Sequence, residues 1–545
     1  MSVRFSPADL TAAFVTLVFA VLCTLFVWQP VLATFADDSV SYLIMAQVFS
    51  PFASASAAVT AAFPHEAFYP PLFPALLAVT GAAHNIPWAH GVTALLLAAS
   101  LPFIYRLGVR WLADSRAAAL VLVCIVLLPS LWINIRGILS EPLFMLLLAA
   151  LFCVLHAEGR NSGWKAGLLM AALVLTRAAA LPMVGVYVLW AMASRNATWE
   201  TRLRSAAPAL AALIAYGVWV LLRPAATVDD YARILVDRSQ GFSASTGGFL
   251  FALAHSVARQ AHALVEGWDG SLLIYWIEGQ PLRLLLASLL GLLALAGLAI
   301  RMLRGLPDAW MIAAYLATLL VWPFYEQLER FLFPVMPVLV LYVFIAAAEM
   351  TSLKWRSAWP GLGLIAALLL ALTLPAMAFV HQRANVDGPA TWITDWYRTP
   401  DINRARSRVR TQLDLFYDMR AIASLTGPND KVMWYIPSYI ALLADRYGMP
   451  TPDPGLSPAD YLKAVRGSGA DYVFLSRFHP RNTISQAAWR AGVANLSGHL
   501  KLVYAGTHKG DRAVTSLLFK VNKTKANNPA AGDGTGKQGA KLNHG

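Results

Sequence analysis

Over its first 380 positions the chain alternates long apolar runs with short polar breaks, and that rhythm predicts its elements. A helix needs about 20 apolar residues to cross a bilayer, at about 1.5 Å per residue. Eleven runs read as crossings, at about 10–33, 86–109, 117–135, 138–157, 166–177, 180–194, 206–222, 281–300, 308–323, 331–349 and 358–380. The first run exceeds the apolar core of a cleaved signal peptide, about 7–15 residues, and no clean small-x-small site follows it. It is read as an uncleaved helix. The pair 166–177 and 180–194 is short for two crossings. Its flanks, Lys165 and Arg195, are both basic, so two short helices meeting at Arg177 are preferred to one tilted helix.

Two longer stretches, about 34–85 and 223–280, are read as outer loops. The first holds "YPPLFPALLAV" (69–79), too short to span and expected at the interface or re-entering partway. From about His381 charged residues return. "KVMWYIP" and "DYVFLS" read as buried strands. "SYIALLADRYG" and "PADYLKAVRGSG" read as helices stopping at glycine. "LKLVYAG" and "RAVTSLLFKV" read as a hairpin closing around His508, Lys509 and Gly510. The pattern gives a membrane domain over 1–380, a small α/β domain over 381–521 and a disordered tail over 522–545.

Composition agrees. The chain is 58% hydrophobic and 13% charged, against about 25% charged in soluble domains. One soluble core is excluded. The net charge of +13 would suit nucleic acid, but the basic residues of the membrane part gather in alternate short loops. These hold Arg110 and Arg116; Arg160 and Lys165; Arg195, Arg202 and Arg204; Arg301 and Arg304; Lys354 and Arg356. That is the positive-inside pattern. It argues against a nucleic-acid partner, and it puts the N-terminus in the cytoplasm and 381–521 in the periplasm of a bacterial inner membrane. Cys23, Cys124 and Cys153 all lie in apolar runs and offer no metal or disulfide spacing.

Charges beside membrane helices need a reason. Those expected on the outer side are Asp37, Asp38, Glu66, Arg136, Glu141, Arg177, Glu326, Glu329 and Arg330. In "FADDSVSYLIMAQ" one of Asp37 and Asp38 could act as general base on an acceptor hydroxyl while its neighbour orients the acceptor or a divalent cation. Asp38 or Ser39 could equally cap a helix. Glu141 in "ILSEPLF" is a helix-start acid or a cavity carboxylate, which could pair with Arg136. Arg177 in "LTRAAALP" and Arg330 in "ERFLFPVMP" have the fork that matches phosphate oxygens. Each could instead pair with Glu326 or Glu329, or snorkel.

Taken in order, "DDSVSYLIMA", "YPPLFPALLA", "SEPLF", "LTR" and "RFLFPVMP" resemble the GT-C superfamily of membrane glycosyltransferases, in its protein O-mannosyltransferase and aminoarabinose-transferase (ArnT-like) branch. The resemblance spans roughly 35–337. It implies a polyprenyl-phosphate sugar donor, a lipid, polysaccharide or protein acceptor outside the cytoplasm, and inversion with a lipid phosphate leaving. It implies Asp37 or Asp38 as the catalytic carboxylate, and Tyr42, Tyr69, Glu141, Arg177, Glu326 and Arg330 as substrate-binding residues. No cofactor is required by it, although a divalent cation is admitted. A secondary transporter and a lipid-linked glycan ligase or polymerase are the competing classes. Against a transporter, no internal repeat is found and the acids lie at helix ends rather than at mid-depth.

Overall fold

The structure is a computed structural model that describes residues 6–35, 38–156, 162–193, 198–224, 248–273, 280–322, 327–355, 357–453, 456–478, 486–507 and 514–521. The hairpin turn at His508–Gly510 and the tail 522–545 lie outside the described residues.

Helices occur at each predicted crossing. α1 (Pro7–Val27) opens with a capping box, Ser6 Oγ accepting from the Asp9 amide while the Asp9 carboxylate accepts from the Ser6 amide. It stops at Val27, short of the expected end, since Pro30 biases the residue before it to extended backbone. α2 (Ser39–Phe49), α3 (Ala57–Glu66) and α4 (Leu72–Val79) fill the first long loop. α5 (Ile86–Leu112) follows. The third run divides into α6 (Ser115–Val126) and α7 (Pro129–Asn134), broken before Pro129. Next come α8 (Glu141–Leu155), α9 (Ser162–Thr176), α10 (Leu181–Met192) and α11 (Trp199–Leu222). α12 (Gly248–Leu273) precedes α13 (Pro281–Leu303) and α14 (Pro307–Leu320). The tenth run is α15 (Leu328–Leu332), a 3-10 turn and α16 (Met336–Trp355); α17 (Trp359–Ala384) ends the membrane part. Six of these segments are long and apolar enough to cross a membrane, namely α1, α5, α11, α13, Leu328–Ser352 and α17. Shorter apolar helices stand among them.

The chain does turn back at Arg177. Arg177 lies beside Ser140 at the start of α8, 3.1 Å away. Trp190, near the end of α10, donates to the Gly305 carbonyl at 2.8 Å, in the turn between α13 and α14. His156, just past α8, approaches Asp308 at the same turn, at 3.1 Å. The ends of α8 and α10 therefore share one end of the bundle with Arg301 and Arg304, and Arg177 sits at the other. One tilted helix could not do this.

The outer stretch 223–280 has a structural element of its own. It contains α12, a helix of 26 residues. His255, Arg259, Glu266 and Asp269 interrupt its apolar positions, which hid it. α12 lies across the Arg177 end of the bundle. Trp268 Nε1 donates to Ala287 O at 2.8 Å, and Gly267 meets the Leu328–Glu329 backbone, where a Cβ would come within 3.0 Å of Glu329 N.

Beyond α17 come α18 (Asp395–Arg398) and α19 (Ile402–Leu425), then a five-stranded sheet. β1 (Lys431–Met433), β2 (Tyr447–Met449), β3 (Tyr472–Ser476), β4 (Lys501–Thr507) and β5 (Val514–Lys520) stand in the order β2-β1-β3-β5-β4. β2-β1-β3 is parallel, and β3-β5-β4 is antiparallel. "SYIALLADRYG" is not one helix. A single turn, α20 (Pro437–Tyr439), leads into a π-helical turn over Ile440–Ala444, and Asp445 ends it at φ 54°. Gly448 is no helix stop: it lies in β2, where a Cβ would come within 2.1 Å of Pro437 O. α21 (Pro458–Gly467) and α22 (Gln486–Ser497) complete the domain.

Side chains alternate across the sheet. Met433, Val473, Leu517 and Phe519 face Leu462, Val465 and Leu496 of α21 and α22. Val432, Phe474 and Leu518 face α19 and join Leu32, Phe35, Val40, Leu43 and Phe73 in a single core. The segment after 380 thus shares its core with α2 and α4. Arg136 fastens the same junction. Its guanidinium lies between the Phe26 and Tyr397 rings, 4.7 and 4.6 Å from their centroids, and donates to Phe26 O, Gln29 and Thr391 O.

Candidate functional site

At the Arg177 end, four helix starts and ends converge. Asp38 occupies the N-cap position of α2, but its carboxylate does not cap the helix. It accepts from Tyr69 Oη at 2.6 Å on Oδ1 and from Arg330 at 2.5 Å on Oδ2. Arg330, on α15, also donates through Nε to Glu141 Oε1 at 2.5 Å. Glu141, the first residue of α8, receives Arg177 on the same oxygen at 2.8 Å. Carboxylate and guanidinium alternate along Asp38–Arg330–Glu141–Arg177, a neutral chain of four charges. Tyr42 Oη lies 2.9 Å from Ser140 Oγ, which also accepts from Arg177.

Packing drives this arrangement. Glu141 is fully buried and Arg177 nearly so, and neither could stay charged there alone. Glu141 Oε2 and Arg177 Nε remain buried without a hydrogen-bond partner. Burial works against the charged form of Asp38, but the Arg330 guanidinium and the Tyr69 hydroxyl outweigh it and hold the carboxyl below the usual carboxylate range.

A cavity of about 280 Å³ opens beside this chain. Its charged lining is Asp38, Arg177 and Arg223. Tyr42, Tyr69, Tyr216, Tyr315, Trp322 and Phe331 give it aromatic walls. Arg330 and Glu141 stand behind that surface, so Arg330 meets the cavity through Asp38.

The structure brings together Asp38, Tyr42, Tyr69, Glu141, Arg177 and Arg330 from the sequence expectation. Asp37 and Glu326 lie outside the described residues. Arg136 does not pair with Glu141, being taken up by Phe26, Gln29 and Tyr397. Sequence reasoning missed Arg223, which ends α11 before Pro224 and so carries the same signal as Arg177, a charge closing an apolar run. It named Ser39 only as a helix cap and Ser140 only as part of a helix start, and it missed Ser41, because lone serines are common. The described carboxylates do not make a cation site. Both Asp38 oxygens are engaged, Glu141 is held by two guanidiniums, and no group of three or more His, Cys, Asp or Glu is placed for a metal among the described residues.

No family model matches the sequence, and no curated protein matches it. Solved structures do. Apo ArnT from Cupriavidus metallidurans aligns with a TM-score of 0.54 at 12% identity, over 94% of this chain and 98% of that one. The same protein bound to undecaprenyl phosphate aligns with a TM-score of 0.53 at 14% identity, over 93% and 97%. At these identities the likeness is one of fold. The chain shares the fold of those structures, with a helical membrane part followed by a small α/β domain.

Proposed function

We propose that the chain is an inverting glycosyltransferase that moves a sugar from a polyprenyl-phosphate donor to an acceptor hydroxyl. The observation that carries this reading is the cavity in which Arg177 and Arg223 face Asp38, within a fold that ArnT shares. Two guanidiniums suit a phosphate whose charge grows as it leaves. Asp38 supplies the base. The acceptor oxygen bonds to the anomeric carbon, the bond from that carbon to the phosphate oxygen breaks, and the phosphate keeps the electron pair. The hydroxyl proton passes to Asp38.

The charge chain gives Asp38 a reason to become a better base only when donor is bound. A phosphate drawn to Arg177 weakens its hold on Glu141. Glu141 then takes a larger share of Arg330, and Arg330 relaxes its grip on Asp38. Its carboxyl rises toward the range useful for proton transfer. No step is assigned to a metal. Arg110, Arg301 and Arg304 at the opposite end support the positive-inside orientation, with the N-terminus cytoplasmic and the site and C-terminal domain periplasmic, in a bacterial inner membrane.

Binding of undecaprenyl phosphate to the protein in nanodiscs tests the donor half. Micromolar binding is expected, weakened at least tenfold by Arg177→Gln and by Arg223→Gln. Equal binding of undecaprenol, which lacks the phosphate, refutes it.

A further inference from the structure

We propose that Glu66 is a positioning residue through which the C-terminal domain holds the first turn of α2, and with it Asp38 and Tyr42. The kinetic consequence rests on the function proposed above; the structural one does not. The first turn of α2 lacks an ordinary cap, because the Asp38 side chain turns away to Tyr69 and Arg330. Hydroxyls from three of its first four residues anchor it sideways instead. Ser39 Oγ accepts from the Ile138 amide at 3.1 Å. Tyr42 meets Ser140. Ser41 donates to Glu66 Oε2 at 2.5 Å.

Glu66 ends α3 and is 7% exposed. Its other oxygen, Oε1, accepts from Ser438 Oγ in α20 of the C-terminal domain. One buried carboxylate therefore joins the helix that carries the site, the loop helix beside it and the domain. Both of its oxygens are used, each by a hydroxyl, and no ion pair holds it among the described residues. The apolar core around it runs through the same three pieces, with Val40 and Leu43 of α2, Val59 of α3, and Tyr439 and Ile440 of the domain. A hydrophobic core allows sliding of a few tenths of an ångström. The two short hydroxyl bonds do not, and a general base tolerates little misplacement.

Hydrogen exchange of the full-length protein in nanodiscs tests this at the amides of Tyr42–Ala46. Ser438→Ala and Glu66→Ala are expected to speed exchange there about tenfold, as loss of a hydrogen bond to a charged group would. Glu66→Gln, which can still bridge both serines, is expected to stay near wild type. Unchanged exchange in both alanine variants overturns the proposal, as does a glutamine variant as fast as Glu66→Ala. If Glu66→Ala fails to fold, Ser438→Ala, which removes one hydroxyl, carries the test. In transfer assays Ser438→Ala is expected to lower kcat and leave the donor KM unchanged. Faster exchange in the alanine variants of a protein whose wild type shows no transfer would sink the function and keep the positioning role. Unchanged exchange in an active enzyme would do the reverse.

Discussion

Arg330 bridges the two carboxylates Asp38 and Glu141, and its replacement by methionine tests the charge chain directly. Arg330 lies 2.5 Å from Asp38 and 2.5 Å from Glu141. Arg330→Met keeps most of the volume and removes the guanidinium. Glu141 retains Arg177, at 2.8 Å, while Asp38 keeps only the Tyr69 hydroxyl. Breaking a buried pair from one side costs about 3–5 kcal/mol, because a charge is left uncompensated. Asp38 is only part-buried, so the lower figure applies, about 3 kcal/mol. In a chain of this size that lowers the melting midpoint by roughly 3 °C. Cys23, Cys124 and Cys153 are free and buried in α1, α6 and α8, so a thiol-reactive dye reports unfolding without added labels. Asp38→Asn in the Arg330→Met background removes the stranded charge and should recover about half the loss. The two changes are in contact and must be non-additive. An Arg330→Met midpoint within 1 °C of wild type refutes the reasoning, as does a double variant less stable than either single one.

Tyr69→Phe removes the 2.6 Å bond to Asp38 and lets its carboxyl rise. Transfer should slow about tenfold, equal to about 1.4 kcal/mol, because the carboxylate loses the bond that orients it and that loss outweighs its gain in basicity, and the acid limb of the rate profile should move to higher pH; an unmoved limb counts against the bond's role. In the C-terminal domain, burial first and then Asp414 push the Asp418 carboxyl up to about 6, against the Tyr504 and Ser516 hydroxyls. A raised folded pKa means stability that is complete below the unfolded value near 3.8 and is lost as pH rises through 6. Asp418→Asn should therefore gain on wild type from pH 4 to 7, by up to about 3 kcal/mol, read from hydrogen exchange at the β3 and β5 amides; a constant difference over that range contradicts it.

The membrane part was legible because apolar runs of this length have few alternatives in water. The turn at Arg177 was legible because Lys165 and Arg195 flank it with the same sign. α12 was hidden because four polar residues break its apolar positions, and a helix lying across the bundle end needs only one apolar face. The π-helical turn and β2 were mistaken for a helix because Gly448 serves a close approach to Pro437 rather than a helix end. Within the site, residue types at helix ends pointed to Asp38, Glu141, Arg177 and Arg330. Their partners did not show, since Asp38 and Arg330 meet across 292 positions and no local pattern records that distance. Arg136 has the same signal as Arg177, a charge closing an apolar stretch, yet it fastens the domain. Glu66 looked like any loop acid, because Ser41 and Ser438 carry no distinctive spacing.

The proposed function stands on one step, in which Asp38 takes the acceptor's proton while a lipid phosphate leaves. It is tested most directly by release of polyprenyl phosphate from a polyprenyl-phosphate sugar in proteoliposomes holding wild type or Asp38→Asn. Asparagine keeps the size of the side chain and can still accept from Tyr69, but it cannot take the proton. Wild type is expected to release polyprenyl phosphate in an acceptor-dependent way and the variant at least a hundredfold more slowly, with lipid-phosphate binding retained. Full release by Asp38→Asn, or wild-type protein that moves a solute and never releases lipid phosphate, would contradict it.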